Sequence, residues 1–296
     1  MVSILIPTYN YNVYPLAHEL VECAQKMGVN FELFCMDDGS NSEINTENKK
    51  INTLQNSKFI AQKENLGLSN NRNQLAKLAQ YDYLLFIDGD SMVIDADFIK
   101  NYIEHISNDT EIIYGGRLHP KKIPSKNQSL RWKYGKFIED KTAEVRHKSL
   151  YKTLMFNNTL IKKVCFEKIK FDAEINKYGH EDTLFAYQAS LQKLKVKHIN
   201  NPIKHGDIDT NVIFLKKTEL GLINLLKIYE AEKINANFVR ILKLYQRLKN
   251  YKTTNVIAGF FKVLTPILKK QLLSSNPSLF IFNIYKVGFM CLKRHR

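Results

Sequence analysis

Only four cysteines occur in 296 residues, Cys23, Cys35, Cys165 and Cys291, and no two of them form a C-x-x-C pair. That excludes a disulfide framework and a zinc ribbon and fits a reducing, cytoplasmic setting. Glycine and proline are sparse, at 12 and 7 residues, while 44% of the chain is hydrophobic. Such a chain can bury a sizeable core, as one large α/β domain with an appendage or as two small domains. No apolar run approaches the roughly 20 residues that span a bilayer. The N-terminus enters a strand-like run at once, without the basic start and small-residue cleavage site of a secretory leader. Acids are missing from the C-terminal end: Lys233 to Arg296 hold 13 Lys and Arg and no Asp or Glu. The net charge of +15 is therefore regional, with 9 cations against 16 acids in residues 1–120 and 35 against 13 in the rest. A block of one sign points to a polyanionic neighbour, either nucleic acid or an anionic membrane surface.

The most informative stretch is Tyr83-Leu-Leu-Phe-Ile-Asp-Gly-Asp90. Five apolar or aromatic residues bounded by polar ones predict a short buried strand. It ends in Asp88 and Asp90, one residue apart, where open α/β sheets bind their ligands. Alternate residues of an extended chain point the same way, so both carboxylates can face one ligand, and hard cations such as Mg2+ or Mn2+ suit such oxygens. The alternative is an acidic turn after a strand. Upstream, Val2–Ile6 reads as a strand stopped by Pro7, and Val13–Met27 as a helix closed by Gly28. Phe31–Met36 reads as a second strand ending at Asp37 and Asp38, Lys58–Gln62 as a third, and a helix follows around Asn71–Leu78. This β-α-β-α-β-α-β order predicts a parallel sheet with right-handed crossovers, bringing the loops at Thr8-Tyr9, Asp37-Asp38 and Asp88-Asp90 to one edge.

Five pieces in this order, S-I-L-I-P-T-Y-N at 3–10, M-D-D-G-S at 36–40, N-L-G-L-S-N-N-R-N at 65–73, I-D-G-D at 87–90 and G-H-E-D-T-L-F at 179–185, resemble the family 2 glycosyltransferases of GT-A fold, bacterial type. The resemblance covers about residues 1 to 205. It implies a Rossmann-like, mostly parallel sheet flanked by helices, as a catalytic domain over 1–210, with a basic helical extension over 211–296. It also implies an inverting transferase that uses a nucleotide-sugar donor, UDP foremost, a glycan or lipid-linked acceptor, and Mn2+ or Mg2+. By the same similarity Pro7 and Tyr9 line the base, Asp38 accepts from it, Asp88 lies near the ribose, Asp90 is the metal ligand with Asp88 beside it, and Arg72 reaches the nucleotide. Asp182 is the general base, with Glu181 next to it. Asp37 is the less suitable ligand of its pair and braces its loop instead.

Other candidates carry two readings each. Trp132, the only tryptophan, sits among cations in a stretch expected to be a mobile, solvent-facing loop; it either stacks on a sugar ring or anchors that loop. Asn158 lies where the family approaches acceptor, or in a turn, and His180 beside the acidic pair is a third acceptor candidate. Glu181 and Asp182 stand at a helix N-terminus, where the dipole also favours carboxylates. The residue at position 184 is Leu, so no H-E-x-x-H zinc site is present. His205 matches a third metal ligand of some relatives, and imidazole suits Mn2+ better than Mg2+; otherwise it is structural. Beyond Asn211 the three-four spacing of apolar residues predicts helices that either cap the core or lie on an anionic membrane, with the run Leu279–Leu292 dipping into it.

Two rivals weigh less. A sugar nucleotidyltransferase needs a glycine- and basic-rich phosphate loop that Pro7–Tyr11 does not offer. A nucleic-acid-binding protein would explain the basic charge, yet no helix-turn-helix, zinc or RNP signature accompanies it.

Overall fold

The computed structural model describes residues 1–175 and 177–293, so Arg294 and Arg296 of the basic segment lie outside the described residues. Two compact units emerge: Met1–Leu118 with Asp140–Asn176 and Glu181–Asp207, and His119–Glu139 with Lys177–His180 and Ile208–Arg296. The second unit thus draws in two stretches from before position 210, where the sequence suggested a single cut.

The first unit is built on a sheet in which β1 (Val2–Thr8) is buried along its whole length. It pairs in parallel with β2 (Phe31–Asp37) from Val2 against Phe31 to Thr8 against Asp37. On its other side lies β4 (Tyr83–Ile87), also parallel, and β3 (Ser57–Ala61) extends the parallel part beyond β2. A strand with neighbours on both sides and helices on both faces has no polar face, which is why β1 and β4 read as continuous apolar runs. The remaining strands are β6 (Ile112–Tyr114), β8 (Asn158–Lys162) and β9 (Val196–His198), giving the order β3-β2-β1-β4-β8-β6-β9. Here the sheet departs from an all-parallel one: β8 runs antiparallel to both β4 and β6. A small second sheet joins β5 (Ser91–Met92), β10 (Ile203–His205) and β7 (Arg117–Leu118) in the order β5-β10-β7.

Helix α1 (Tyr14–Met27) carries Pro15 in its first turn and stops at Gly28, whose left-handed φ of 65° lets its N–H reach Ala24 and Gln25 carbonyls. With α4 (Phe98–Ile103) it shares a core with Ile4, Ile6, Leu85 and Ile87. The short α2 (Asn45–Asn48) follows β2. Helices α3 (Leu68–Leu78), α7 (Lys163–Ile169) and α8 (Glu181–Leu191) accompany a phenylalanine cluster in which Phe86 stacks on Phe166 and Phe156 meets Phe185 at 4.5 Å between centroids. Aromatic pairs of this kind add about 0.5–1.5 kcal/mol each beyond burial, and these fix the end of β4 that carries Asp88. Helix α6 (Ala143–His147) brings the buried Arg146, whose guanidinium donates to the carbonyls of Gly115 and Ile199 at 3.1 and 2.6 Å.

The second unit is helical: α5 (Ser129–Tyr134), α9 (Asn211–Glu230), α10 (Arg240–Asn250), α11 (Thr254–Leu272) and α12 (Leu279–Lys293). Phe214, Leu225, Tyr245, Phe261, Phe282 and Tyr285 form its interior. Gly288 lies flat against the Phe261 ring, with no room for a side chain, which allows α11 and α12 to pack closely. Among the described residues no helix is long and apolar enough to cross a membrane.

Candidate active site

The C-terminal edges of β1, β2 and β4 meet as the strand pattern predicts, and main-chain bonds lock them together. The Asp38 N–H donates to Thr8 O at 2.9 Å and the Gly89 N–H to Pro7 O at 3.3 Å. A Cβ on Gly89 would crowd Pro7 O and the Thr8 side chain at 3.1 Å, so a glycine between Asp88 and Asp90 lets the two loops touch.

Asp37 braces its loop, as expected: it accepts from the Ser40 N–H at 2.9 Å and from Asn45 Nδ2 at 3.0 Å. Asp38 is busier than the sequence suggested. Its two oxygens accept the Leu66 and Gly67 N–H groups, each at 2.9 Å, drawing the N-L-G loop onto the end of β2. Each oxygen retains a second lone pair. Burial raises the Asp38 carboxyl and the two N–H groups oppose that rise. Pro7 is buried in β1 while Tyr9 stands 57% exposed beside it, an open aromatic face at the sheet edge.

Arg72 was expected to reach the nucleotide. It is fully buried on α3. It instead bonds Asp182 Oδ1 at 2.6 Å and Asp88 Oδ1 at 2.8 Å, with Glu181 Oε1 at 3.9 Å, and lies over the Phe171 ring at 5.1 Å. Burial alone would ease off its proton, but the carboxylates of Asp182, Asp88 and Glu181 outweigh burial and raise its pKa. One cation on α3 thus organises three acids from two other parts of the chain, Asp88 after β4 and Glu181 and Asp182 on α8. The sequence signal was present in the R of N-L-G-L-S-N-N-R-N, but helical spacing does not say whether such an arginine points out or in.

The acidic pair at the start of α8 is strongly differentiated. Asp182 is held by Arg72 and, through Oδ2, by the Phe156 N–H at 3.0 Å. Glu181 is pushed up to about 7, by burial first and then by the charge of Asp182, with Arg72 pulling the other way.

Asp90 turns away from this network. His205, at the end of β10, places Nδ1 3.5 Å from Asp90 Oδ2. Gly206 donates its N–H to Asp90 O at 2.7 Å, and a Cβ there would meet that oxygen at 2.8 Å and the Tyr11 hydroxyl at 3.3 Å. Tyr11 has its pKa raised by burial, then by Asp207 and Asp90. Tyr11 and Asp207 are members of this corner that the sequence did not single out; only their nearness to Tyr9 and His205 in the chain hinted at it. Among the described residues no group of three or more His, Cys, Asp and Glu side chains is placed to hold a metal by itself. Asp90 and His205 supply one oxygen and one nitrogen donor, a set that fits Mn2+ when substrate oxygens complete it. Asp88, expected to join them, is bound to Arg72.

Three acceptor candidates fare differently. Asn158 is not at the surface. Its Oδ1 accepts from the Tyr102 hydroxyl at 2.6 Å and its Nδ2 donates to the Gly116 and Asn201 carbonyls at 2.9 Å, so it ties β8 to its neighbours. Trp132 belongs to the second unit, on a helix rather than a mobile loop, where its indole N–H donates to Pro120 O at 2.8 Å. His180, also of the second unit, adopts φ 70° and is pushed down to about 4 by burial and by Lys286.

A profile of the Glycosyl transferase family 2 matches residues 3–174, more than half of the chain. The chain belongs to that family. It is a glycosyltransferase, and its first unit has the GT-A fold. It is 25% identical to an uncharacterized glycosyltransferase of Haemophilus influenzae over 235 residues, 75% of this chain and 91% of that one. It is also 26% identical over 249 residues to a chondroitin synthase of Escherichia coli, covering 70% of this chain but 36% of that longer protein. The mannosyltransferase PcManGT of Pyrobaculum calidifontis, solved with GDP-Man and Mn2+, superposes with a TM-score of 0.61 at 11% identity, over 99% of this chain and 86% of that one. TarS of S. aureus, residues 1–349 with UDP-GlcNAc, gives 0.53 at 17%, over 100% and 92%. At these identities the structures speak for the fold.

Proposed function

We propose that this glycosyltransferase moves a sugar from a nucleoside diphosphate to a hydroxyl of a glycan or lipid-linked acceptor, with inversion and with a divalent metal. The observation that carries this reading is the pinning of Asp88 and Asp182 by the buried Arg72, with Glu181 raised to about 7 beside Asp182 and Asp90 facing His205.

Tyr9, exposed at that edge, offers a stacking face for the base, backed by Pro7, and the second lone pairs of Asp38 accept base N–H groups. Asp88, at the end of β4, faces the ribose hydroxyls with the oxygen that Arg72 does not hold. Asp90 and His205 would hold Mn2+ or Mg2+, which when bound offsets charge growing on the leaving diphosphate. The proton of the attacking hydroxyl goes to the Glu181–Asp182 pair at the start of α8. Asp182 is fixed by Arg72 and the Phe156 N–H, so its geometry is set before acceptor arrives. A base with a value near the working pH is the effective kind. One in-line displacement inverts the anomeric centre, and no covalent intermediate is required. UDP is the first donor to test, and the complexes of TarS with UDP-GlcNAc and PcManGT with GDP-Man support a nucleotide-sugar reading.

Thermal-shift screening against UDP-, GDP- and dTDP-sugars with and without Mn2+ identifies the donor, since a ligand bound only to the fold raises its melting temperature. A shift that needs both nucleotide sugar and Mn2+, and that Asp90→Ala removes, is expected. Donor binding unchanged by chelator would overturn the metal assignment, and a product that retains the donor's anomeric configuration would overturn inversion.

A further inference from the structure

The apolar run Leu279–Leu292 was the segment the sequence pointed toward lipid, and in the structure much of it faces inward. In α12, Phe282, Tyr285, Phe289 and Met290 are buried within the second unit. Helix α11 is apolar on two sides. One side, with Ala258, Phe261 and Leu272, faces inward. The other presents Val256, Phe260, Val263 and Ile267, exposed by 59%, 66%, 76% and 68%, with Leu264 at their flank. Their spacing of four, three and four residues draws one stripe along about 16 Å of helix. A contiguous apolar strip of this kind on a surface marks a contact with something apolar.

Charge decides what covers it. Lys262 and Lys270 are exposed on the same helix, and α10 exposes Arg240, Lys243 and Arg247, three and four residues apart. No acid occurs from Lys233 onward. A second copy of the chain would bring like charge against like, and a nucleic acid would leave the phenylalanine, valines and isoleucine against a polar backbone. An anionic bilayer matches both features, with phosphates for the cations and acyl chains for the strip.

We infer that the outer face of α11, together with the exposed cations of α10 and α11, docks the protein on an anionic lipid bilayer without crossing it. Binding of this kind involves no donor or acceptor, so it stands or falls separately from the catalytic reading. Flotation of the full chain with equimolar phosphatidylglycerol and phosphatidylcholine vesicles, and with phosphatidylcholine alone, tests it at low and high salt. Binding to the anionic vesicles that falls as salt shortens the screening length below roughly 10 Å is expected. The double variant Phe260→Ser, Ile267→Ser removes apolar area already in water, so it should keep its melting temperature and lose at least about tenfold in vesicle partition. The inference fails if the full chain does not float with anionic vesicles at low salt. It also fails if the folded double variant floats undiminished, or if sedimentation shows a dimer that the same substitutions dissolve.

Discussion

The two ends of this chain handle charge in opposite ways. Around β4 the acids are matched internally: Asp88 and Asp182 share the buried Arg72, and Asp90 faces His205. Along α10 and α11, Arg240, Lys243, Arg247, Lys262 and Lys270 are exposed and the segment itself holds no acid, although Lys269 reaches Glu219 of α9 at 3.0 Å. The same formal charges are therefore structural in one region and outward-looking in the other. Buried ions depend on one another, because removing one leaves the rest uncompensated, whereas exposed cations act only on what arrives.

The sharpest way to break that contrast is to remove the organising cation. Arg72→Met should destabilise the fold by about 3–5 kcal/mol and abolish turnover, read by thermal unfolding and donor consumption. Lys270→Ala on α11 should shift stability by less than about 0.5 kcal/mol. If both changed stability equally, the distinction between the regions would vanish. Next in size, Asp182→Asn retains shape but neither takes a proton nor balances Arg72, so turnover should fall roughly 10²–10⁴-fold while donor affinity holds, measured by titration calorimetry and steady-state kinetics. Asn158→Ala removes the amide that bonds the Tyr102 hydroxyl and the Gly116 and Asn201 carbonyls. It should lower stability by about 1–3 kcal/mol and leave the acceptor KM unchanged, which separates a staple from a binding residue.

The smallest effect is on pH. A carboxyl raised from 4.5 to about 7 in the fold contributes stability that is present below the unfolded value and is lost as pH rises through about 7. The ionised form is the base, so kcat/KM should rise over the same window in which stability declines. Glu181→Gln should flatten the stability profile between those values and remove the acid limb of the rate profile.

Much of this could be read from the sequence where one periodicity governs. The strand Tyr83–Ile87 and the stop of α1 at Gly28 follow from burial pattern and backbone freedom, and both stand as expected. What could not be read were orientations set by partners far along the chain. Arg72 is indistinguishable from a solvated helix charge until Asp182, 110 residues away, is placed beside it. Asn158 looks like an acceptor ligand until Tyr102 and Asn201 claim its amide. The antiparallel β8 escaped for a related reason, since strand direction is fixed by the return of the chain from an excursion of more than forty residues and not by the strand's own composition. On α12 the spacing identified a stripe correctly but could not say which side of the helix α11 would cover.

Asn224 donates to the carbonyls of Lys177 and Gly179 at 3.3 and 2.6 Å, and Gly221 lies close enough to Gly179 that a Cβ there would come within 3.9 Å of its Cα. The four residues that lead directly into Glu181 are thus anchored by α9, a helix that starts after the region matched by the family profile. Engineering this enzyme by grafting its N-terminal two thirds onto a foreign tail would detach that anchor. A chimera that ends at 210 is expected to be expressed and inactive, and one that carries α9 through Glu230 to retain the loop, making the boundary of the exchangeable module a matter of one amide and one glycine on a helix outside the profile.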